Sequence, residues 1–223
     1  MKAHGEGEMV VVADYQTAGR GCGTNTWESE RGKNLLFSVL LHPTGVPAAN
    51  QFILSMANAL ALRDALSHYA DCISIKWPND IYWRDSKLCG TLIETTLKGQ
   101  NIGSCILGTG INVNQRRFMG DAPNPVSLYQ MLGHQTDSDE VLMKVLDNLA
   151  KYMAMVDEGA WEPIRTNYRH HLYRRGETAL YRFPDGSEKC CKLVNVTNDG
   201  HLELLHAGRH TLCLAFKEVQ FVI

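Results

Sequence analysis

Hydrophobic and polar positions divide the chain into three regions. In the first, "EMVVVADY" (8–15) and "KNLLFSVLLH" (33–42) are apolar runs of strand length. Between 46 and 69 the period lengthens to that of a helix, which puts Ile53, Met56, Ala57, Leu60 and Ala61 on one face with Pro47 near its start. Three further strand-like segments follow, "CISIKWPNDIYW" (72–83), "KLCGTLIETTL" (87–97) and "IGSCILGTGINVN" (102–114), joined by short polar turns. The pattern predicts a sheet with a helix packed on it.

The second region is helical. Residues 137–140 carry a capping-box signature, Leu142, Val145, Leu146, Leu149 and Met153 follow at helical spacing, and "WEPIRTNYRHH" (161–171) adds a short helix after a break at Gly159. From about residue 172 the period drops to two. The runs "ETALYRF", "EKCCKLVNV", "HLELLH", "TLCLAF" and "VQFVI" are separated by "PDGS", "NDG" and "AGR", the regular turn spacing of a small antiparallel barrel. The expected fold is α+β: a mixed sheet with packed helices over 1–171, and a small β-barrel over 172–223 docked directly on it.

Length and charge narrow the function. A chain of 223 residues holds one ordinary domain plus a small second one. The net charge of −2 provides no basic footprint for nucleic acid and no polybasic membrane patch. The longest apolar stretch, "NLLFSVLL", is too short to span a bilayer, and "MKAHGEGEMV" lacks a signal-peptide core, so the cytosol is the expected compartment. Seven cysteines without a C-x-x-C pair, two of them adjacent (Cys190, Cys191), suit buried free thiols better than disulfides or a zinc ribbon. The histidines of "HAGRH" (206–210) fall where a solvated hairpin turn is expected.

Four segments have the residue types for chemistry. In "YQTAGRGCGTNTW" (15–27), Gly19, Gly21 and Gly23 let backbone N–H groups approach an anion and Arg20 supplies a forked cation. Its glycine spacing fits neither the dinucleotide fingerprint nor a P-loop, and taken alone it reads better as an ordinary mobile loop whose Arg20 pairs with some acid. Trp27 closes that segment with a flat ring able to stack on a nucleobase, though such a ring serves as well as a core anchor. In "KWPND", Pro78 interrupts the ladder and leaves Lys76, Asn79 and Asp80 free to point together into a cleft; a plain bulge explains it equally. If "NDIYW" and "KLCGTLIE" form a hairpin, Lys87 returns beside "KWPND" and Gly90 clears space over the sheet. Finally, "GTGINVN" (108–114) puts Gly108 and Gly110 at a strand end, with Asn112 or Asn114 able to read a purine edge or brace a loop.

The order of these segments carries more than any one of them. "GRG" with a Trp six residues later, then "KWPND", "KL-x-G-x-L-x-E", "G-x-G-I-N-V-N" and a small β-barrel resembles the biotin protein ligases, also called biotin–[acetyl-CoA-carboxylase] ligases, over residues 9–223. The resemblance implies a class II synthetase-like biotin/lipoate ligase catalytic domain with an SH3-like C-terminal barrel. It also implies a two-step reaction, in which ATP and biotin give biotinyl-5′-AMP with Mg²⁺ assisting, and a lysine of a biotin carboxyl carrier domain, from acetyl-CoA carboxylase or a related enzyme, then takes the biotinyl group. By the same resemblance Gln16, Gly19, Arg20, Gly21 and Cys22 belong to the loop covering biotin and the adenylate. Lys87 reaches the biotin carboxylate and α-phosphate, Gly108 and Gly110 flank biotin, and Trp27, Lys76, Asn79 and Asn112 belong to the nucleotide side. Asp80 assists the metal, otherwise held mainly by ATP, or orients the incoming lysine.

Two departures from the family pattern stand out. Residues 22–25 are neutral where family loops often carry further basic residues, and a "Ser-Thr-Asn" segment normally precedes the first strand. Eight residues before Met9 leave no room for a winged helix, so no DNA role is expected, while an open sheet edge offers a place for two copies to pair. Within the same fold, a lipoate- or octanoate-type ligase or transferase is the rival reading; outside catalysis, it is a biotin- or adenylate-binding homologue.

Overall fold

The computed structural model describes residues 7–21, 26–120 and 122–223. Six strands form the main sheet: β1 (Met9–Ala13), β2 (Leu35–Leu41), β3 (Ile73–Lys76), β4 (Asp80–Trp83), β5 (Ser86–Lys98) and β6 (Asn101–Ile111), in the order β1-β2-β6-β5-β4-β3. The segment 72–83, expected as one strand, is two. The turn at Trp77–Pro78, a cis peptide, folds β4 back on β3. A mixed sheet was expected; among the described residues every ladder of this sheet is antiparallel, and parallel pairing occurs as isolated bridges such as Ile75 with Leu172.

Helices cover one face. After a 3-10 turn at Ala48–Asn50 comes α1 (Phe52–Leu66), then α2 (Leu128–Leu132), α3 (Ser138–Asp157) and α4 (Trp161–His170). The α1 helix lies between the sheet and α3–α4. It is therefore buried almost all round, with Leu54, Ala59 and Leu62 as inaccessible as the five residues expected to form its apolar face. Truncating Leu60 to Ala should cost about 2–5 kcal/mol, read as a lower urea midpoint. The capping box expected at 137–140 is only partial: the Asp137 carboxylate accepts from Asp139 N at 2.9 Å, while the reciprocal box belongs to Ser127 and Gln130 on α2.

The expected C-terminal β-unit is a second antiparallel sheet, formed by β7 (Thr178–Arg182), β8 (Glu188–Val196), β9 (Leu202–His206), β10 (His210–Leu214) and β11 (Gln220–Phe221), in the order β10-β9-β8-β7-β11. It docks on the main sheet at the interrupted strand: Trp77 Nε1 donates to Gly200 O at 2.9 Å and Tyr173 N to Ile75 O at 2.8 Å. The "HAGRH" segment is the β9–β10 turn. The cysteines are only half as expected, because Cys89, Cys105 and Cys191 are buried but Cys72, Cys190 and Cys213 are exposed. No described helix is long and apolar enough to cross a membrane.

Candidate active site

Strand register puts one row of residues across the whole sheet. Ala13 pairs with Leu36, Leu36 with Gly110, Gly110 with Gly90, Gly90 with Asp80, and Asp80 with Lys76. Residues opposite one another share a face. All six line a single cavity of about 790 Å³ on the face away from α1, and the next row, Val11, Ser38, Gly108 and Leu92, lines it too. At the centre of this surface two glycines stand opposite each other, leaving a bare patch of backbone. Beneath that patch the alternate residues face the helices, where Thr91 and Thr109 are 3.1 Å apart and Asn58 of α1 donates to Thr91 Oγ1 at 3.2 Å.

The sheet also aims Lys87 at this floor. Simple alternation would put residues 87 and 90 on opposite faces, but a register shift between Ile81 and Tyr82 inserts an extra residue, and Leu88 and Cys89 are both fully buried. The irregularity returns Lys87 to the Gly90 side, the re-aiming that a β-bulge performs. Its ammonium lies 2.8 Å from Asp80 Oδ1. A Cβ at position 90 would stand 3.1 Å from Lys87 Cε and Nζ, so any side chain there would push the end of this lysine aside. The backbone of Lys87 is pinned on both sides, with its N donating to Asn124 O at 2.8 Å and its O accepting from Val126 N at 2.9 Å.

Trp27 arrives from the opposite direction. Its N donates to Gly19 O at 2.9 Å and Arg20 bridges Thr26, so the loop doubles back and lays the indole on the sheet. A Cβ at Gly110 would come within 2.6 Å of indole Cε2, and Lys87 Nζ is 5.7 Å from the ring. The indole N–H is buried against the sheet with no hydrogen-bond partner among the described residues.

Of the residues expected from sequence, Gln16, Arg20, Gly21, Trp27, Lys76, Asn79, Asp80, Lys87, Gly108 and Gly110 all line the cavity. Gly19 lies just behind it, hydrogen-bonded to Trp27, and Cys22 lies outside the described residues. Lys76 is held below the usual lysine range by burial, opposed by Asp80, with its ammonium 5.2 Å from the Tyr82 ring and 5.0 Å from the Phe221 ring. Asn79 turns inward, donating to Thr91 O at 2.5 Å. Asn112 does not line the cavity. It is 2% exposed and stands behind the wall, where its Nδ2 donates to Val126 O at 3.1 Å and Lys87 O at 3.4 Å, bracing the Lys87 segment. Asn114 likewise braces a loop, exchanging hydrogen bonds with the Thr136 backbone.

Sequence reasoning missed one wall. Phe216, Lys217, Val219, Gln220 and Phe221 of the second sheet border the cavity. Phe216 packs on Trp77 with ring centroids 6.0 Å apart. Glu28 was also missed: its carboxylate accepts from Met119 N and Gly120 N, fixing the segment after Trp27 to the loop that follows β6.

The chain is similar to proteins of one family. A model of the biotin/lipoate A/B protein ligase family matches residues 2–112. A biotin–[acetyl-CoA-carboxylase] ligase of Paracoccus denitrificans is 33% identical over 184 residues, covering 79% of this chain and 75% of that protein. The chain belongs to the biotin protein ligase family. Against the bifunctional ligase/repressor of Salmonella typhimurium it is 32% identical, covering 71% of this chain but half of that longer relative. The likeness extends to the whole fold: the biotin protein ligase of Aquifex aeolicus, solved in complex with biotin and ATP, superposes with a TM-score of 0.79 at 27% identity over 99% of this chain and 90% of that one. The second sheet is thus part of the shared architecture.

Proposed function

We propose that the cavity over the Gly90–Gly110 floor is where this chain joins biotin to ATP, and that Lys87 is its principal catalytic group. The reaction is ATP-dependent biotinylation of protein through biotinyl-5′-AMP. A biotin carboxylate oxygen attacks the α-phosphorus and the bond to the departing pyrophosphate breaks. The ε-amine of a lysine on a biotin carboxyl carrier domain then attacks the carbonyl of the mixed anhydride, and AMP leaves. One observation carries this assignment: the Trp27 ring packs on the Gly110 backbone and the Lys87 ammonium stands 5.7 Å from that ring, in the same cavity.

The arrangement suits a first step that must bring two anions together. Gly108, open to the cavity, gives biotin a flat bed, the Trp27 ring packed over the neighbouring Gly110 separates that bed from the nucleotide side, and Lys87 stands at the junction where carboxylate and α-phosphate meet. Its cation offsets charge developing in the transition state, and the pinned backbone holds it in place for the attack. Arg20 approaches from the covering loop, which on closing excludes water from the adenylate. Asp80, beside Lys87, is the carboxylate available to orient the incoming amine.

Mg²⁺ accompanies ATP as its polyphosphate counter-ion. Among the described residues no cluster of three or more His, Cys, Asp or Glu forms a metal cage, and Asp80 is engaged by Lys87, so no step is assigned to a protein-held ion. The open edge at β1, where Met9, Val10, Val11 and Val12 are exposed, is where two copies would pair.

The test is incubation with ATP, Mg²⁺, biotin and a carrier domain, read by intact mass. A gain of one biotinyl group that requires both ATP and biotin is expected. Gain with lipoate instead, or a melting shift without any gain, would favour the two rival readings. Trp27→Ala should weaken ATP binding about tenfold or more, since stacking on an aromatic ring is worth roughly 1–3 kcal/mol per base, with biotin binding measured alongside by calorimetry.

A further inference from the structure

Six charged side chains border the cavity, Arg20, Lys76, Lys87 and Lys217 against Asp80 and Glu94. They are not equally available to an anionic ligand. Lys87 is already engaged with Asp80 at 2.8 Å, and burial disfavours the charged form of Lys76 between its two rings. Arg20 and Lys217 are exposed and form no ion pair among the described residues. They come from different parts of the fold, one from the loop after β1 and the other from the turn between β10 and β11, and both border the cavity that Lys87 lines.

Lys217 is presented by a built turn. Glu218 N donates to Ala215 O at 3.1 Å, and the Glu218 carboxylate accepts from Ala215 N at 2.7 Å, so this acid is spent on the backbone. Phe216 anchors the turn on Trp77 and Val219 is buried, which fixes it against the same "KWPND" segment that supplies Asp80. Lys217 itself has φ +74°, a left-handed backbone that lysine adopts only at a cost. A glycine would sit there more comfortably, yet the position carries a cation facing the cavity.

Building on the proposed function, we propose that Lys217 is the cation that holds the β- and γ-phosphates of ATP. When biotin attacks the α-phosphorus, the bond that breaks releases both of those phosphates as pyrophosphate, whose developing charge falls on this side of the cavity. Lys217 therefore acts on substrate binding and the first step. Once pyrophosphate has left, nothing remains for it to hold, and transfer from biotinyl-5′-AMP to the carrier lysine proceeds without it. The neutral residues at 22–25 leave a role for a cation supplied from elsewhere, and the C-terminal sheet supplies one.

The test uses the full chain and three variants: Lys217→Gly, which removes the charge while relieving the backbone; Lys217→Glu, which reverses it; and Lys217→Arg, which keeps it. Charge-assisted hydrogen bonds are the stronger kind, so Lys217→Gly should raise KM for ATP and the inhibition constant for inorganic pyrophosphate about tenfold. Lys217→Glu should raise both further, and Lys217→Arg should restore most of the loss. KM for biotin, and transfer of preformed biotinyl-5′-AMP to a carrier domain, should stay within about twofold of the parent chain. Unchanged ATP and pyrophosphate constants overturn the proposal, and so does a loss confined to the transfer step, which would make Lys217 an acceptor contact. A parent chain that forms no biotinyl-5′-AMP would instead remove the functional reading on which it rests.

Discussion

Lys87→Ala should lower the rate of biotinyl-5′-AMP formation by about 10²–10³, the usual effect of deleting one group that stabilises transition-state charge, while leaving the protein folded. The two halves of this expectation have separate causes. The Lys87 side chain is 30% exposed and borders the cavity together with its ion-pair partner Asp80, so water in the cavity can solvate the carboxylate when the lysine is removed. The backbone bonds to Asn124 and Val126 do not depend on the side chain. Pyrophosphate released in a single turnover should thus fall steeply while the melting temperature moves by only a few degrees. A variant that formed the adenylate at near-parental rate would remove Lys87 from its assigned role.

The second large effect comes from a residue with no side chain. Gly90→Val places a branched carbon where a Cβ alone would already be 3.1 Å from Lys87 Cε and 3.3 Å from Asp80 Oδ1. Both neighbours are ends of side chains that can swing into the cavity, so the sheet should tolerate the change. The lysine should not keep its aim, and misplacement by about 1 Å costs on the order of 10²-fold in rate. Gly90→Val is expected to approach the activity of Lys87→Ala with a normal circular-dichroism spectrum and melting curve. Parental activity would show that the bare backbone at position 90 does not set the position of Lys87.

Much of this was legible in the chain because the chemistry sits in short contiguous segments. "KWPND" and the lysine after the next turn had to meet if the intervening residues formed a hairpin, and they do. Gly90 could be assigned the clearing of space on the same argument. What could not be read is how far the register runs. The alignment of Lys76, Asp80, Gly90, Gly110 and Leu36 in one row depends on four separate strand pairings, and alternation along β5 alone would have turned Lys87 toward α1. The irregularity that corrects it leaves no mark in composition, because Leu88 and Cys89 are ordinary core residues wherever they point.

Other differences follow from tertiary packing. The apolar spacing of α1 marked a helix, but covering by α3 and α4 as well as by the sheet buries its remaining positions. Asn112 looked like a residue for reading a base; its Nδ2 instead donates to Val126 O and Lys87 O, contacts with segments apart from it in the chain, while its Oδ1 has no partner among the described residues. The wall from 216 to 221 was invisible for the same reason. Nothing in "AFKEVQF" distinguishes it from the end of any small β-domain until that domain docks on Trp77.

A crystal structure with a non-hydrolysable analogue of biotinyl-5′-AMP would test the central claim most directly. The biotin rings should lie over Gly108, flanked by the Trp27-covered Gly110, the phosphate should be within hydrogen-bonding distance of Lys87 Nζ, and the adenine should stack on Trp27. Analogue bound on any other surface, or in this cavity with its phosphate turned away from Lys87, would contradict the account.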